Sequence, residues 1–339
     1  MGVNGVCPAC GGELTPWIAV ESGEPSDPRR FPLERCVSCG TALTGGDPPT
    51  AEAYEAGMYA PGKPRASGVV DAFQRATVGQ PVRMLRRAGL APGSRVLDAG
   101  AGPGRLVQAL TEGGYRASGI EPSGRSAAIA ADASRDVTRS SIEEWDGAGG
   151  PYDAAVLWHV LEHLDDPGAA LERIGSWLRP GGVLLVGVPN PASLQARIAG
   201  PGWLHFDAPR HRVHFTPDGL GRLSVRSGFE PGRVHHVVWE QNPHAMWMSM
   251  LTRLGMRPGF PFHLLKRNID PRPKDLAILA LGIPLLPVAF AAEMGAAAAG
   301  HGGTIALVAR RAGSKTLPQP AVPVAKDEPE DGTQGIAAG

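Results

Sequence analysis

The chain has 339 residues, 42% of them hydrophobic, with 33 Lys plus Arg against 33 Asp plus Glu. That length carries one large domain with attachments, and the zero net charge disfavours nucleic acid as a partner. The N-terminus shows no basic segment followed by an apolar run, so a cytoplasmic chain with reduced thiols is expected.

The four cysteines fall in two knuckles, Cys7-Pro-Ala-Cys10-Gly and Cys36-Val-Ser-Cys39-Gly. In each, two thiolates two residues apart can face one ion, and the following glycine allows the tight turn. Residues 1–45 are therefore expected to form a zinc-ribbon-like module with a structural Zn2+ on Cys7, Cys10, Cys36 and Cys39. Disulfides or free thiols are the alternative. The 25 residues between the pairs are long for a ribbon, with Glu21–Arg30 as the extra loop. About forty residues bury little core, so the metal would hold the module together. Residues 46–70 read as a linker, and Asp71–Leu90 has helical apolar spacing at Phe73, Val78, Val82 and Leu85.

Arg95–Leu97 is short and apolar, as a buried parallel strand should be, and Asp98 ends it. Gly100, Gly102 and Gly104 follow, then helical spacing over Leu106–Leu110. A strand, a glycine turn and a helix N-terminus together make a seat for a ligand that approaches the backbone closely. The third glycine comes one residue earlier than in the dinucleotide fingerprint. The next strand, Ala117–Ile120, ends at Glu121, where a carboxylate can accept both ribose hydroxyls of an adenosine-containing cofactor.

Ser123–Ala133 reads as a helix capped by Ser123, Val137–Ser141 as a strand and Ala154–Trp158 as another. His159-Val-Leu-Glu162-His163 then matches a zinc-peptidase pattern that needs a helix. A strand leads straight into it here, so that reading is set aside. His159 falls just past a strand's carboxyl end, where open α/β sheets collect ligands. Pro167–Leu178 is an amphipathic helix and Val183–Val188 a strand. Trp203–Thr216 sets His205, Asp207, His211 and His214 among aromatics and is the most reactive stretch. Pro217–Gly228 reads as a helix, Gly232–Trp239 as a strand and Thr304–Arg311 as the last strand.

Residues 243–300 form a helical insertion before that last strand. Its run Leu276–Ala292 holds 17 apolar residues broken by Pro284 and Pro287. A membrane span wants about twenty with fewer breaks, so a lid or a lipid-interfacial helix fits better. Peripheral contact at the inner face of the membrane would follow. Residues 313–339, rich in Pro, Gly and charge, read as a disordered tail.

Four blocks in this order, Asp98–Gly104 (DAGAGPG), Glu121, Tyr152–Leu164 (YDAAVLWHVLEHL) and Leu178–Asn190 (LRPGGVLLVGVPN), resemble the class I S-adenosylmethionine-dependent methyltransferases. The branch it looks most like includes the ubiquinone-biosynthesis O-methyltransferases and many bacterial relatives of unassigned substrate, and the resemblance covers roughly Asp71–Arg311. It implies an α/β, Rossmann-like fold over residues 71–242 and 301–312, with a seven-stranded, mostly parallel sheet and helices on both faces. It implies S-adenosylmethionine held by Asp98, Gly100, Ala101, Gly102, Gly104, Glu121, Pro122, Ile142, Glu143 and Trp158. The reaction implied is methyl transfer to an oxygen or carbon of a small-molecule or lipid-linked acceptor. A histidine suits the base, with His211 and His159 first and His205, Asp207 and His214 behind them. Three other readings stay open: C-methylation of a nucleotide-linked sugar, RNA methylation, and a non-catalytic zinc-ribbon interaction protein.

Overall fold

A computed structural model describes residues 5–50, 67–266 and 269–313. Most of the expected linker and nearly all of the expected tail therefore lie outside the described residues.

The N-terminal residues form a hairpin of β1 (Leu14–Glu21) and β2 (Arg30–Cys36), followed by β3 (Ala42–Thr44). After α1 (Ser67–Arg87), strands and helices alternate: β4 (Arg95–Ala99), α2 (Arg105–Glu112), β5 (Arg116–Glu121), α3 (Gly124–Asp132), β6 (Val137–Arg139), β7 (Tyr152–Trp158), α4 (Pro167–Trp177) and β8 (Leu178–Pro189). Then come α5 (Leu194–Ala199), β9 (Val213–His214), α6 (Pro217–Arg226) and β10 (Phe229–His235). The insertion carries α7 (Asn242–Arg253), α8 (Phe260–Lys266), α9 (Pro273–Gly282) and α10 (Leu286–Ala298), and β11 (Thr304–Arg311) closes the fold.

Seven strands make the main sheet, in the order β10-β11-β8-β7-β4-β5-β6. β11 runs antiparallel to both its neighbours and the other pairings are parallel. Side chains on a strand alternate between faces, and both faces here are apolar because both are covered. Val96, Val156, Leu185 and Ala306 point into one buried cluster with Leu85 of α1 and Leu106 and Leu110 of α2. Their neighbours Leu97, Leu157, Val186 and Leu307 point into the other, with Leu171, Ile174 and Trp177 of α4 and Leu220 of α6.

Two strands differ most from the sequence expectation. β8 begins at Leu178 and takes in Arg179-Pro-Gly-Gly182, entering the sheet as Leu178 pairs with Tyr152 ahead of an irregularity. β10 spans Phe229–His235, not Gly232–Trp239. It is an edge strand bonded on one side, so Pro231 is tolerated at a register shift. Beyond it, Gln80 takes the place of a strand partner: its Nε2 donates to the Val237 carbonyl at 2.7 Å and its Oε1 accepts from Trp239 N at 2.8 Å.

The N-terminal hairpin does not stand alone. Its sheet runs β1-β2-β3-β9, and β9 comes from the histidine-rich stretch, with Ala42 opposite His214 and Leu43 opposite Val213. Backbone bonds extend the seam, from Thr44 N to the Arg212 carbonyl at 3.0 Å and from Gly23 N to the Ala208 carbonyl at 2.8 Å. Cys7, Cys36 and Cys39 share a buried cluster with Val213, Phe215 and Leu220.

Candidate active site

The glycine turn between β4 and α2 needs residues without a Cβ. Gly100, Gly102 and Gly104 have φ of 84°, 53° and 74°, a region that other residues enter at a cost. A Cβ on Gly100 would lie 2.4 Å from Val160 Cγ2, whereas Gly102 faces open space. Gly104 caps α2 with no side-chain hydrogen bond, which leaves the first N–H groups of the helix for a ligand. A fourth glycine, Gly119 of β5, lets the turn settle: a Cβ there would meet that of Ala101 at 2.5 Å. Sequence pattern alone did not single it out, because its role depends on β5 lying beside the turn.

Glu121 closes the cleft. Its Oε2 accepts from Gly102 N and its Oε1 from Ser123 N, both at 2.8 Å, so the carboxylate is aimed across the glycine turn. Burial raises its pKa, and those two N–H groups oppose the rise. Asp98, 2% exposed, is pushed up to about 7 by burial and then by the Glu121 charge. Ala101 and Ile142 are buried, while Pro122 and Glu143 are exposed. Trp158 donates through Nε1 to Glu240 Oε2 at 3.2 Å and packs edge-on to His159.

His159 sits at φ 58°, which is rare for a residue with a side chain and needs a surrounding structure to hold it. Its Nδ1 lies 3.3 Å from Oε1 of buried Glu162. Burial lowers the pKa of this histidine, but the Glu162 hydrogen bond and charge outweigh it and hold the value above the usual one. With Nδ1–H on the carboxylate, Nε2 carries the lone pair, and that atom is buried without a hydrogen-bond partner. Leu161–His163 form a 3-10 turn, so the His-x-x-Glu-His run lacks the helical geometry of a peptidase.

Trp203–Thr216 wraps against this turn. His163 Nδ1 lies 3.1 Å from the Arg210 carbonyl, and His211 Nδ1 lies 2.8 Å from the His205 carbonyl. The rings of His163 and His211 meet edge to face with centroids 4.7 Å apart. One ligand atom from each of Glu162, His163 and His211 comes within 4.8 Å of the others. Burial drives the pKa of His205 and of His214 down to about 3 and that of His211 well below normal. Such histidines are neutral and weakly basic. Asp207 is ion-paired with Arg210 at 2.5 Å, which makes it an anchor of the loop. Gly23 covers that pair, where a Cβ would come 1.9 Å from Asp207 Oδ1.

The four thiols converge. Cys7 and Cys39 Sγ are 3.7 Å apart and Cys10 and Cys36 Sγ 3.5 Å. All four lie within 4.8 Å of one another. A disulfide needs about 2.05 Å, whereas four thiolates about 2.3 Å from one zinc stand about 3.8 Å apart. Burial works against ionising Cys36, yet the N–H groups of Cys39 and Ser38 bring its thiol down to about 7.

A methyltransferase-domain family matches residues 73–233. The ubiquinone biosynthesis O-methyltransferase of Dinoroseobacter shibae is 31% identical over 151 residues, covering 41% of this chain and 61% of that protein. That of Methylocella silvestris is 32% identical over 126 residues, covering 35% and 49%. The chain thus spans 49–61% of the length of these curated relatives. A solved S-adenosylmethionine-dependent methyltransferase from Mesorhizobium loti is 17% identical with a TM-score of 0.42, covering 69% of this chain and 98% of that one.

Proposed function

We propose that this chain, whose residues 73–233 match a methyltransferase-domain family, is a class I S-adenosylmethionine-dependent methyltransferase that transfers a methyl group to an oxygen of a small-molecule or lipid-linked acceptor. One observation carries the reading. Glu121 is held by Gly102 N and Ser123 N so that a carboxylate faces the bare glycine turn.

In this reading Glu121 accepts the ribose hydroxyls, Gly100–Gly104 lie under the amino-acid end, and Asp98, Ala101, Ile142 and Trp158 line the rest. S-adenosylmethionine supplies an electrophilic methyl on a sulfonium whose leaving group is a neutral thioether. The protein's part is then alignment, exclusion of water and removal of one proton. His159 is the base, receiving the acceptor's proton at Nε2, while Glu162 orients the ring and stabilises the imidazolium, as a carboxylate does in a triad. His205, His211 and His214, neutral and deeply buried, shape the acceptor pocket and take no proton. An oxygen acceptor is favoured over carbon because a histidine base held by a carboxylate suits the proton of a hydroxyl. Cys7, Cys10, Cys36 and Cys39 would hold a structural Zn2+ that cross-links the N-terminal sheet.

The test is titration calorimetry with S-adenosylhomocysteine on the full chain and on Glu121→Ala. A charge-assisted hydrogen bond of about 1.5–3 kcal/mol predicts affinity about 10- to 150-fold weaker in the variant. No heat with the wild type would remove the assignment.

A further inference from the structure

α9, a 3-10 turn over Ile283–Leu285 and α10 run as one broken rod across the insertion. Between Asp275 and Glu293 no residue is charged. Only 17% of the most apolar window of Pro273–Ala298 is buried. Leu281 is 80% exposed, Ile283 58% and Phe290 46%, and Leu276, Leu286 and Val288 join them in solvent. Apolar side chains left this exposed along a whole rod call for a partner.

The two bracketing acids fix how the rod lies. Asp275 is 2% exposed and accepts from Arg257 through N at 3.0 Å and Nε at 2.7 Å. Glu293, fully buried, accepts from Gln195 Nε2, Asn242 Nδ2 and Gly303 N at 2.7–2.9 Å. Trp247 Nε1 ties the middle of the rod to α7 by donating to the Gly282 carbonyl at 2.8 Å. Standing the rod across a bilayer would tear both carboxylates from their donors, so a rod that meets lipid with its anchors intact lies along the surface.

Charge says what that face meets. Between Arg253 and Asp275 the sequence holds six cations against two acids, in a chain of zero net charge. Arg272 is the N-cap of α9 and Lys274 sits in its first turn, both exposed. Cations there oppose the helix dipole, so their placement serves something other than helix stability. Trp239, 39% exposed and stacked on Phe290, adds the amphipathic ring that favours a lipid–water boundary.

We propose that this face docks in the plane of a phospholipid surface bearing anionic headgroups, with the apolar side chains among the acyl chains and Arg253, Arg272 and Lys274 on the phosphates. The inference is independent of the methyl-transfer reading and uses none of its residues.

The experiment is flotation of the full chain with vesicles of phosphatidylcholine alone and of phosphatidylcholine with phosphatidylglycerol, with light scattering for mass. The wild type should float with the anionic vesicles and lose this on adding salt. Leu281→Ser with Ile283→Ser and Phe290→Ser should weaken binding about tenfold per side chain. Arg272→Glu with Lys274→Glu should weaken it about fivefold or more per charge, on anionic vesicles alone. A wild type that stays at the bottom with both vesicles overturns the proposal, as does a triple-serine protein that floats like the wild type. So does a wild-type dimer that the serine variant splits while neither protein floats, since the face would then belong to a second copy.

Discussion

The Thr44 hydroxyl donates to the His211 carbonyl at 2.6 Å, and the same oxygen lies 2.9 Å from His214 Nε2. One side chain of the cysteine module thus grips the histidine stretch at two points, beside the backbone pairing of β3 with β9. Thr44→Val keeps the shape and removes both bonds, leaving two buried polar groups alone. It should cost about 1–3 kcal/mol of stability in denaturant unfolding. Turnover should fall while S-adenosylhomocysteine affinity stays unchanged, since the cofactor cleft is built from other strands. Equal losses of affinity and turnover would contradict this division.

Removing the metal should loosen the same seam. Zinc analysis on the full chain should give one ion, lost on chelation and in Cys36→Ser. Hydrogen exchange at the amides of Thr44 and His214 should then speed up, with the strands of the main sheet still protected. Unaltered protection of these two amides would show that the seam holds without metal.

The His159–Glu162 pair predicts a pH profile. A base whose pKa is held above the ordinary histidine value by Glu162 works only once deprotonated, so turnover should rise with pH through that value and level off. Glu162→Gln removes what opposes burial, so the rising limb should move to lower pH as the maximum rate falls. His159→Gln should lose about 100- to 10,000-fold in turnover and the limb with it. A profile of unchanged shape in His159→Gln would assign the base elsewhere.

Buried neutral histidines make the fold sensitive to acid. His205 and His214 have pKa values near 3 when folded, against the ordinary 6.5. Between those values the unfolded chain binds protons that the folded one refuses, so stability falls as pH drops below about 6.5. The slope is about 1.4 kcal/mol per pH unit for each fully buried group. Denaturant midpoints at pH 7 and pH 5 should differ accordingly, and His205→Gln should flatten the difference. Equal midpoints in the wild type would mean that these rings take protons while folded.

Local pattern carried much of this architecture. Arg95–Ala99, the glycine turn and Glu121 are legible because a buried parallel strand, a turn without Cβ atoms and an acid at the next strand end each depend on near neighbours. The His159–Glu162 contact is three residues long and equally readable. What was not readable depends on distant partners. β9 is two residues long and is a strand only because β3 lies beside it. Gly232 and Pro231 read as breakers, yet an edge strand accommodates them, while Val237 and Trp239 look like strand and are claimed by Gln80. The ranking of bases also needed burial: His211 stands in the most reactive stretch, but its surroundings leave it a poor proton acceptor.

The seam between β3 and β9 has a consequence for biosynthesis. Thr44 and His214 are 170 positions apart, so the N-terminal sheet cannot gain its fourth strand until those intervening residues have emerged from the ribosome, roughly ten to thirty seconds later at about 5–20 residues per second. The cysteine-bearing hairpin therefore completes its sheet only after the central strands have been made, and holds its cysteines in an unfinished sheet until then.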